Sequence, residues 1–205
     1  MSAEGLIQHL DAHLVVALKP AGLPSVPGRA PGLQDCLWQR VRAEVEDALV
    51  VHRLDMATSG LLLFARGAAM QRALSGLFAQ RQVEKGYEAV VGGLLEADTG
   101  TIDLPLAADW SNRPRQRVDH ARGKPSSTRW SVLARDAARG TTRLALEPLT
   151  GRTHQLRVHL AALGHPLLGD TLYAPAPIAA AAPRLLLHAT RLAFEIGRAS
   201  CRERV

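Results

Sequence analysis

The segment 51–65, VHRLDMATSGLLLFA, constrains this chain more than any other. A basic pair, His52 and Arg53, and a carboxylate, Asp55, precede a Thr-Ser-Gly turn. Residues 61–65 then run as an apolar strand that needs burial. A turn feeding directly into a buried strand puts Asp55 on a rigid support with an arginine two positions away, an arrangement that displays reactive side chains. The alternative for a lone loop aspartate is that it caps its own turn. The rest of the chain decides between the two.

The chain has 205 residues, of which 47 % are hydrophobic. That suits one domain, or a compact two-lobed one, with a full core. No apolar run spans a bilayer, and the N-terminus lacks the basic and small-residue pattern of a secretory signal. Cys36 and Cys201 are the only cysteines, so no disulfide framework is implied and a cytoplasmic location is expected. The net charge of +6 comes mostly from arginine, whose guanidinium binds phosphate bidentately and stacks on bases. That balance points toward a nucleic-acid partner. From Gly197 to Val205 the chain loses apolar periodicity and turn logic. This tail reads as non-native, with the natural C-terminus and part of a last strand missing, so residues 1–196 are expected to form the folded domain.

Residues 13–18 read as a buried strand, and 19–32, KPAGLPSVPGRAPG, as a Pro/Gly-rich loop. Residues 34–49 read as a helix with Leu37, Trp38, Val41, Val45 and Ala48 on one face. A second amphipathic helix is expected over 68–82, with Met70, Leu74, Leu77 and Phe78 inward. Strands are expected at 61–65, 87–91, 101–107, 129–134, 142–146 and 185–194, and a helix over 154–163 stopped by Gly164 and Pro166. Residues 109–127 read as polar and irregular. Strands and helices interleave without strict βαβ order, which predicts an α+β fold with a mixed, largely antiparallel sheet flanked by helices.

Three further segments carry chemistry. In KGYEAVVGG, Tyr87 opens a strand near Lys85 and Arg81, where it packs at a sheet edge or stacks on an unpaired base. In LEPLTGRTHQLRVHLAALGHPLLGD, Arg152 sits where a strand hands over to a helix N-terminus, a natural anion site. His154 and His159 lack zinc-ligand spacing and read as structural or RNA-contacting. The segment 109–127 interleaves Arg113, Arg115, Arg117, Arg122 and Lys124 with Trp110, as a single-strand or stem-loop contact requires. The sequence contains no P-loop, no GxGxxG after a strand, no GxSxG elbow and no paired-cysteine metal site.

HRLDMATSGLLL, YEAVVGG, GRTHQLRVHLAALGHPLLGD and RLLLHA together resemble the motifs of the RluA family of RNA pseudouridine synthases. The resemblance runs from about His13 to about Phe194. It implies the pseudouridine synthase catalytic fold over 1–196 without an S4-like RNA-binding extension, no cofactor and no metal. It implies that Asp55 is the catalytic aspartate, acting on the sugar as nucleophile or as base. It implies that Arg152 pairs with Asp55, that Tyr87 stacks on the target uracil and serves as final base for the C5 proton, that Arg53 fills the space left by the flipped base, and that His52 beside it also binds RNA. SVPGR, DWSNRPRQRV and GKPSSTRW are similar to the dual-specificity members, which act on 23S rRNA and on the tRNA anticodon stem-loop. Substrate phosphates are expected along Arg113, Arg115, Arg117 and Lys124, and a monomer is expected. The competing expectations are a non-catalytic RNA-binding module on the same fold, and an enzyme restricted to rRNA or to tRNA.

Overall fold

The computed structural model describes residues 5–28, 32–196 and 199–204. In chain order the elements are β1 (Ile7–Leu10), β2 (Leu14–Lys19), α1 (Leu37–Glu44), β3 (Ala48–Val50), β4 (Ser59–Arg66), α2 (Gly67–Ala79), β5 (Glu84–Gly92), β6 (Thr99–Asp103), β7 (Leu106–Ala108), a 3-10 turn (Trp110–Asn112), β8 (Gln116–Val118), β9 (Ser127–Asp136), β10 (Thr141–Pro148), α3 (Gln155–Ala162), α4 (Ala176–Ala180), β11 (Leu187–Ile196) and β12 (Ala199–Arg204). This is the expected α+β class. The chain divides into two compact units, residues 1–84 with 188–205, and residues 85–187.

The first unit is organised by β4. The strand pairs antiparallel with β2 from Leu14↔Ala65 to Lys19↔Gly60, antiparallel with β3, and parallel with β11 at His188↔Ser59 and Ala189↔Gly60. Seven of its eight residues are buried, as a strand apolar on both faces demands. Leu61, Leu63, Leu192 and Phe194 form a cluster with Leu74 of α2, and Met70, Leu77 and Phe78 pack against it. These are the inward residues that the helical spacing predicts. Each fully buried leucine contributes about 1.5–3 kcal/mol relative to exposure. The end of α2 is closed by Arg81 in a left-handed conformation (φ 60°). Its N–H bonds to Phe78 O at 3.2 Å, and the next N–H, Gln82, bonds to Leu77 O at 2.9 Å.

The second unit is an antiparallel sheet in the order β5–β10–β9–β6, with β7 and β8 in a separate hairpin. On β10, Thr142, Leu144 and Leu146 are buried while Arg143 is exposed, as the alternation predicts. His159 of α3 is fully buried, 2.9 Å from Thr128 Oγ1 and 3.1 Å from Leu104 O, and burial lowers its pKa. It is a structural histidine.

Three expectations are corrected. The helix expected over 34–49 ends at Glu44, and Ala48–Val50 is a strand on β4. Glu44, Glu46 and Asp47 crowd a helix C-terminus whose dipole disfavours negative charge. The strand expected over 101–107 is two strands in different sheets, because Pro105 interrupts the ladder. The irregular segment 109–127 contains β8, which pairs with β7 through Leu106↔Val118. In the tail that reads as non-native, residues 199–204 pair antiparallel with β11, while Gly197, Arg198 and Val205 lie outside the described residues.

Candidate active site

In the first unit, the turn around Asp55 is held from both flanks. Ser25 Oγ donates to Leu54 O at 2.7 Å and accepts Leu54 N–H at 3.1 Å. On the other side, Met56 O accepts from Gly22 N–H at 2.8 Å and from Lys19 Nζ at 2.9 Å. The bond that closes the turn runs from Thr58 N–H to the main-chain oxygen of Asp55 at 3.1 Å, so closure does not require the carboxylate. The Pro/Gly-rich loop is thus a clamp on the backbone of residues 54–56, and the half-buried Asp55 side chain is carried on a fixed frame.

Lys19 is the site residue that the sequence reading missed. It is fully buried, and its Nζ also donates to Pro20 O at 2.9 Å and Leu23 O at 2.7 Å. An ammonium offers three protons, and three carbonyls take them. Burial lowers its pKa to about 8, against the opposing pull of the Asp55 charge. The signal in the sequence is a lysine that ends an apolar strand directly before proline.

His52 and Arg53 part company. His52 is half-buried, stacks on Phe78 with ring centroids 4.5 Å apart, and accepts Leu63 N–H on Nε2 at 3.1 Å. This makes it a support of β4 and leaves Arg53 as the exposed cation of the pair.

In the second unit, Tyr87 is half-buried on β5 opposite Leu146. Arg152 lies in the turn between β10 and α3, and the buried Gln155 organises that turn. Gln155 Oε1 accepts Arg152 N–H at 3.0 Å and Thr150 Oγ1 at 2.7 Å. Gln155 Nε2 donates to Ser127 O at 2.9 Å and Thr128 Oγ1 at 3.0 Å. The Arg152 guanidinium reaches Pro125 O from Nε and from one terminal nitrogen, both at 3.3 Å. Gln155 is a second residue that sequence reasoning missed, because two of its four partners, Ser127 and Thr128, lie on a strand distant in the chain.

The basic residues line the β7–β8 hairpin and the loop after it. Arg113, Arg115, Arg117 and Lys124 are all exposed. Arg113 covers Trp110 at 3.9 Å from the ring centroid, and Trp110 is 71 % exposed. A large aromatic face left in water beside a cation is suited to stacking on a base. Arg117 pairs with Asp119 at 3.0 Å, and Asp119 also caps the turn through Ala121 and Arg122 N–H. Among the described residues, no three His, Cys, Asp or Glu side chains gather into a potential metal site, and no helix is long and apolar enough to cross a membrane.

Residues 13–162 match the family described as RNA pseudouridylate synthase. The chain is 51 % identical over 188 residues to the dual-specificity RNA pseudouridine synthase RluA of Pasteurella multocida (strain Pm70), a match covering 92 % of this chain and 85 % of that one. It is 48 % identical over 187 residues to the protein of the same name from Escherichia coli (strain K12), covering 91 % and 85 %. Among solved structures, human RNA pseudouridylate synthase domain containing 1 is similar with a TM-score of 0.84 at 29 % identity, over 100 % of this chain and 84 % of that one.

Proposed function

The chain belongs to the RNA pseudouridylate synthase family, and from that premise we propose that it isomerises uridine in two kinds of RNA stem-loop, one in 23S rRNA and one in the tRNA anticodon arm. The reaction breaks the N1–C1′ bond, turns the uracil, and forms a C5–C1′ bond. N1 gains a proton and C5 loses one. Product and substrate hold the same atoms at the same oxidation level, so the balance calls for no cofactor.

The observation that carries this reading is the frame around Asp55, clamped by Ser25 and Lys19 inside the segment that matches the family. A carboxylate aimed by a rigid backbone is the group that acts on the ribose, as nucleophile at C1′ or as base. Tyr87 stacks on the flipped uracil, and Arg53 offers a planar cation to the gap that the base leaves. Arg152 supplies the guanidinium proposed to pair with that carboxylate during the reaction. Arg113, Arg115, Arg117 and Lys124 bind phosphates. Extruding a base costs a few kcal/mol, roughly, and less in a loop than in a duplex, which favours stem-loop substrates. In this reading the enzyme works as a cytoplasmic monomer.

The test uses two stem-loops labelled with tritium at uridine C5, one with an rRNA sequence and one with a tRNA anticodon-arm sequence. Tritium release from both supports the dual assignment, and release from one alone restricts the enzyme to that RNA. Tight binding without release from either makes the protein a binding module.

A further inference from the structure

Tyr173 lies where three parts of the second unit meet. Its hydroxyl accepts the backbone N–H of Gln116, the first residue of β8, at 2.8 Å. The same oxygen lies 2.6 Å from His154 Nδ1. A phenol has one proton to give and lone pairs to accept with, so one hydroxyl serves both neighbours when it donates to a neutral imidazole. The two partners belong to functionally distinct segments. Gln116 is in the hairpin that carries Arg113, Arg115 and Arg117, and His154 follows Arg152 by two residues.

The rest of the cluster fixes the tyrosine. Asp170 is 1 % exposed, and its Oδ1 accepts the N–H of Leu172 at 2.9 Å and of Tyr173 at 3.2 Å. Asp170 is itself held by two hydrogen bonds from the buried Arg157, at 2.8 and 2.6 Å. The Arg157 guanidinium lies 5.1 Å from the Tyr173 ring centroid. Backbone, ring and hydroxyl are therefore each constrained.

His154 is the point where this constraint becomes useful. It adopts φ 54° and ψ 19°, a left-handed conformation rare for a residue with a side chain. Such a conformation persists when surrounding contacts impose it, and its imidazole is gripped by the Tyr173 hydroxyl. The following residue is Gln155, whose side chain holds Arg152 N–H.

We propose that Tyr173 is a positioning residue whose hydroxyl locks the Arg152 turn to the basic hairpin, so that RNA gripped by the hairpin and the Arg152 guanidinium share one rigid frame. This rests on the role of Arg152 given above. The hydroxyl acts on the rate through the turn, and the ring supplies packing that phenylalanine would keep.

The experiment measures single-turnover tritium release from a C5-labelled anticodon stem-loop at saturating full-length enzyme, with RNA affinity and melting temperature measured in parallel. The variants are Tyr173→Phe, His154→Gly, Arg152→Ala and the double Tyr173→Phe/Arg152→Ala. Tyr173→Phe is expected to slow release about tenfold, the scale of one well-placed hydrogen bond. Its melting temperature is expected to stay within about 3 °C of the parent. His154→Gly, which keeps the left-handed turn accessible and drops the tether, is expected to slow release by a similar factor. The double variant is expected to match Arg152→Ala alone, because the tyrosine has no other route to the rate. A Tyr173→Phe rate equal to the parent, with Arg152→Ala slow, overturns the inference alone, and so does a multiplicative loss in the double variant. If Tyr173→Phe fails to fold, His154→Gly at the parental rate overturns it. Arg152→Ala at the parental rate overturns both the inference and the role of Arg152 on which it rests.

Discussion

The ammonium of Lys19 donates to the carbonyl oxygen of Met56 at 2.9 Å, one residue past Asp55. Two of its protons go to the Pro/Gly-rich loop at Pro20 and Leu23, so a single buried charge binds that loop to the turn that carries Asp55. A neutral amine has one donor too few for three carbonyls. With a folded pKa of about 8, the charged form is present below that pH and is lost as pH rises through it. The rate of tritium release is therefore expected to fall on the alkaline side with an apparent pKa near 8. Stability moves the other way. The folded pKa lies below the ordinary 10.5, so between these values the unfolded chain binds more protons, and this group's contribution to folding improves as pH rises. Lys19→Met should remove both trends. Rate–pH profiles and melting curves over pH 7 to 10, approximately, check the opposite signs; parallel trends in the parent enzyme would refute the assignment.

Asp55→Asn should abolish turnover and leave RNA binding near the parental level. The backbone frame is made by Ser25, Lys19 and Gly22 and does not depend on the carboxylate charge. An amide keeps the shape but is neither a nucleophile nor a base at neutral pH. Filter binding and tritium release on the same RNA separate the two effects. Measurable pseudouridine formation by the variant would remove Asp55 from the chemistry.

Parts of this architecture were legible because their physics is local. The strand around Leu61–Leu63 shows an unbroken apolar run, α2 shows helical spacing, and β10 shows alternation, each a direct imprint of burial. The end of α1 misled because Val45 and Ala48 fit a helical face, while the neighbouring acids and the pairing of β3 with β4 end the helix. The β7–β8 hairpin was hidden, since three-residue strands joined by backbone bonds leave little side-chain pattern. The candidate functional residues of the two units divide in the same way. Asp55, Tyr87 and Arg152 stand in segments with a family likeness. Lys19 runs against the rule that lysine is exposed. Gln155 and Tyr173 act through partners far along the chain, at Ser127 and Gln116, which no local pattern announces.

Gly60→Ala should destabilise the protein without altering any of the side chains proposed to contact RNA. Gly60 has φ +118°, and a Cβ there would overlap the backbone N and O of Ala189, its partner in the parallel β4–β11 pairing. Relief requires the strands to part beside the 2.8 Å contact between Ser59 Oγ and His188 Nδ1. Backbone strain and overpacking together should cost about 2–4 kcal/mol. A urea titration gives the value, and an unchanged midpoint would show that the strands yield at no cost.

The Arg157–Asp170 pair predicts an acid-sensitive component of stability. The two side chains are 5 % and 1 % exposed. Burial pushes the Asp170 carboxyl up, but the Arg157 hydrogen bonds and charge and the N–H groups of Leu172 and Tyr173 more than reverse it, leaving the pKa below 3.8. With the folded pKa depressed, the stabilisation is complete above the ordinary carboxylate range and is lost as pH falls through the folded value. Asp170→Ala, which strands a buried guanidinium, should cost about 3–5 kcal/mol at neutral pH. The double variant Arg157→Met/Asp170→Leu should recover most of that loss, because neither charge is then buried alone. Denaturant midpoints of the single and double variants at pH 7 and pH 3, approximately, make the comparison.

The β7–β8 hairpin makes a prediction about salt. Arg115 is exposed, and its backbone is fixed in the hairpin turn by Asn112 O at 2.9 Å, so removing its side chain leaves the loop in place. If Arg115 neutralises one phosphate, Arg115→Ala should weaken binding of every stem-loop by a similar factor and reduce the slope of log affinity against log salt by about one. Arg139, an exposed arginine paired with Asp136 in the β9–β10 turn, is the control, and Arg139→Ala should leave that slope unchanged. Affinities measured from about 50 to 200 mM salt give both slopes. Equal slopes for Arg115→Ala and the parent enzyme would take this arginine off the RNA path, and a changed slope for Arg139→Ala would move the phosphate track toward the β9–β10 turn.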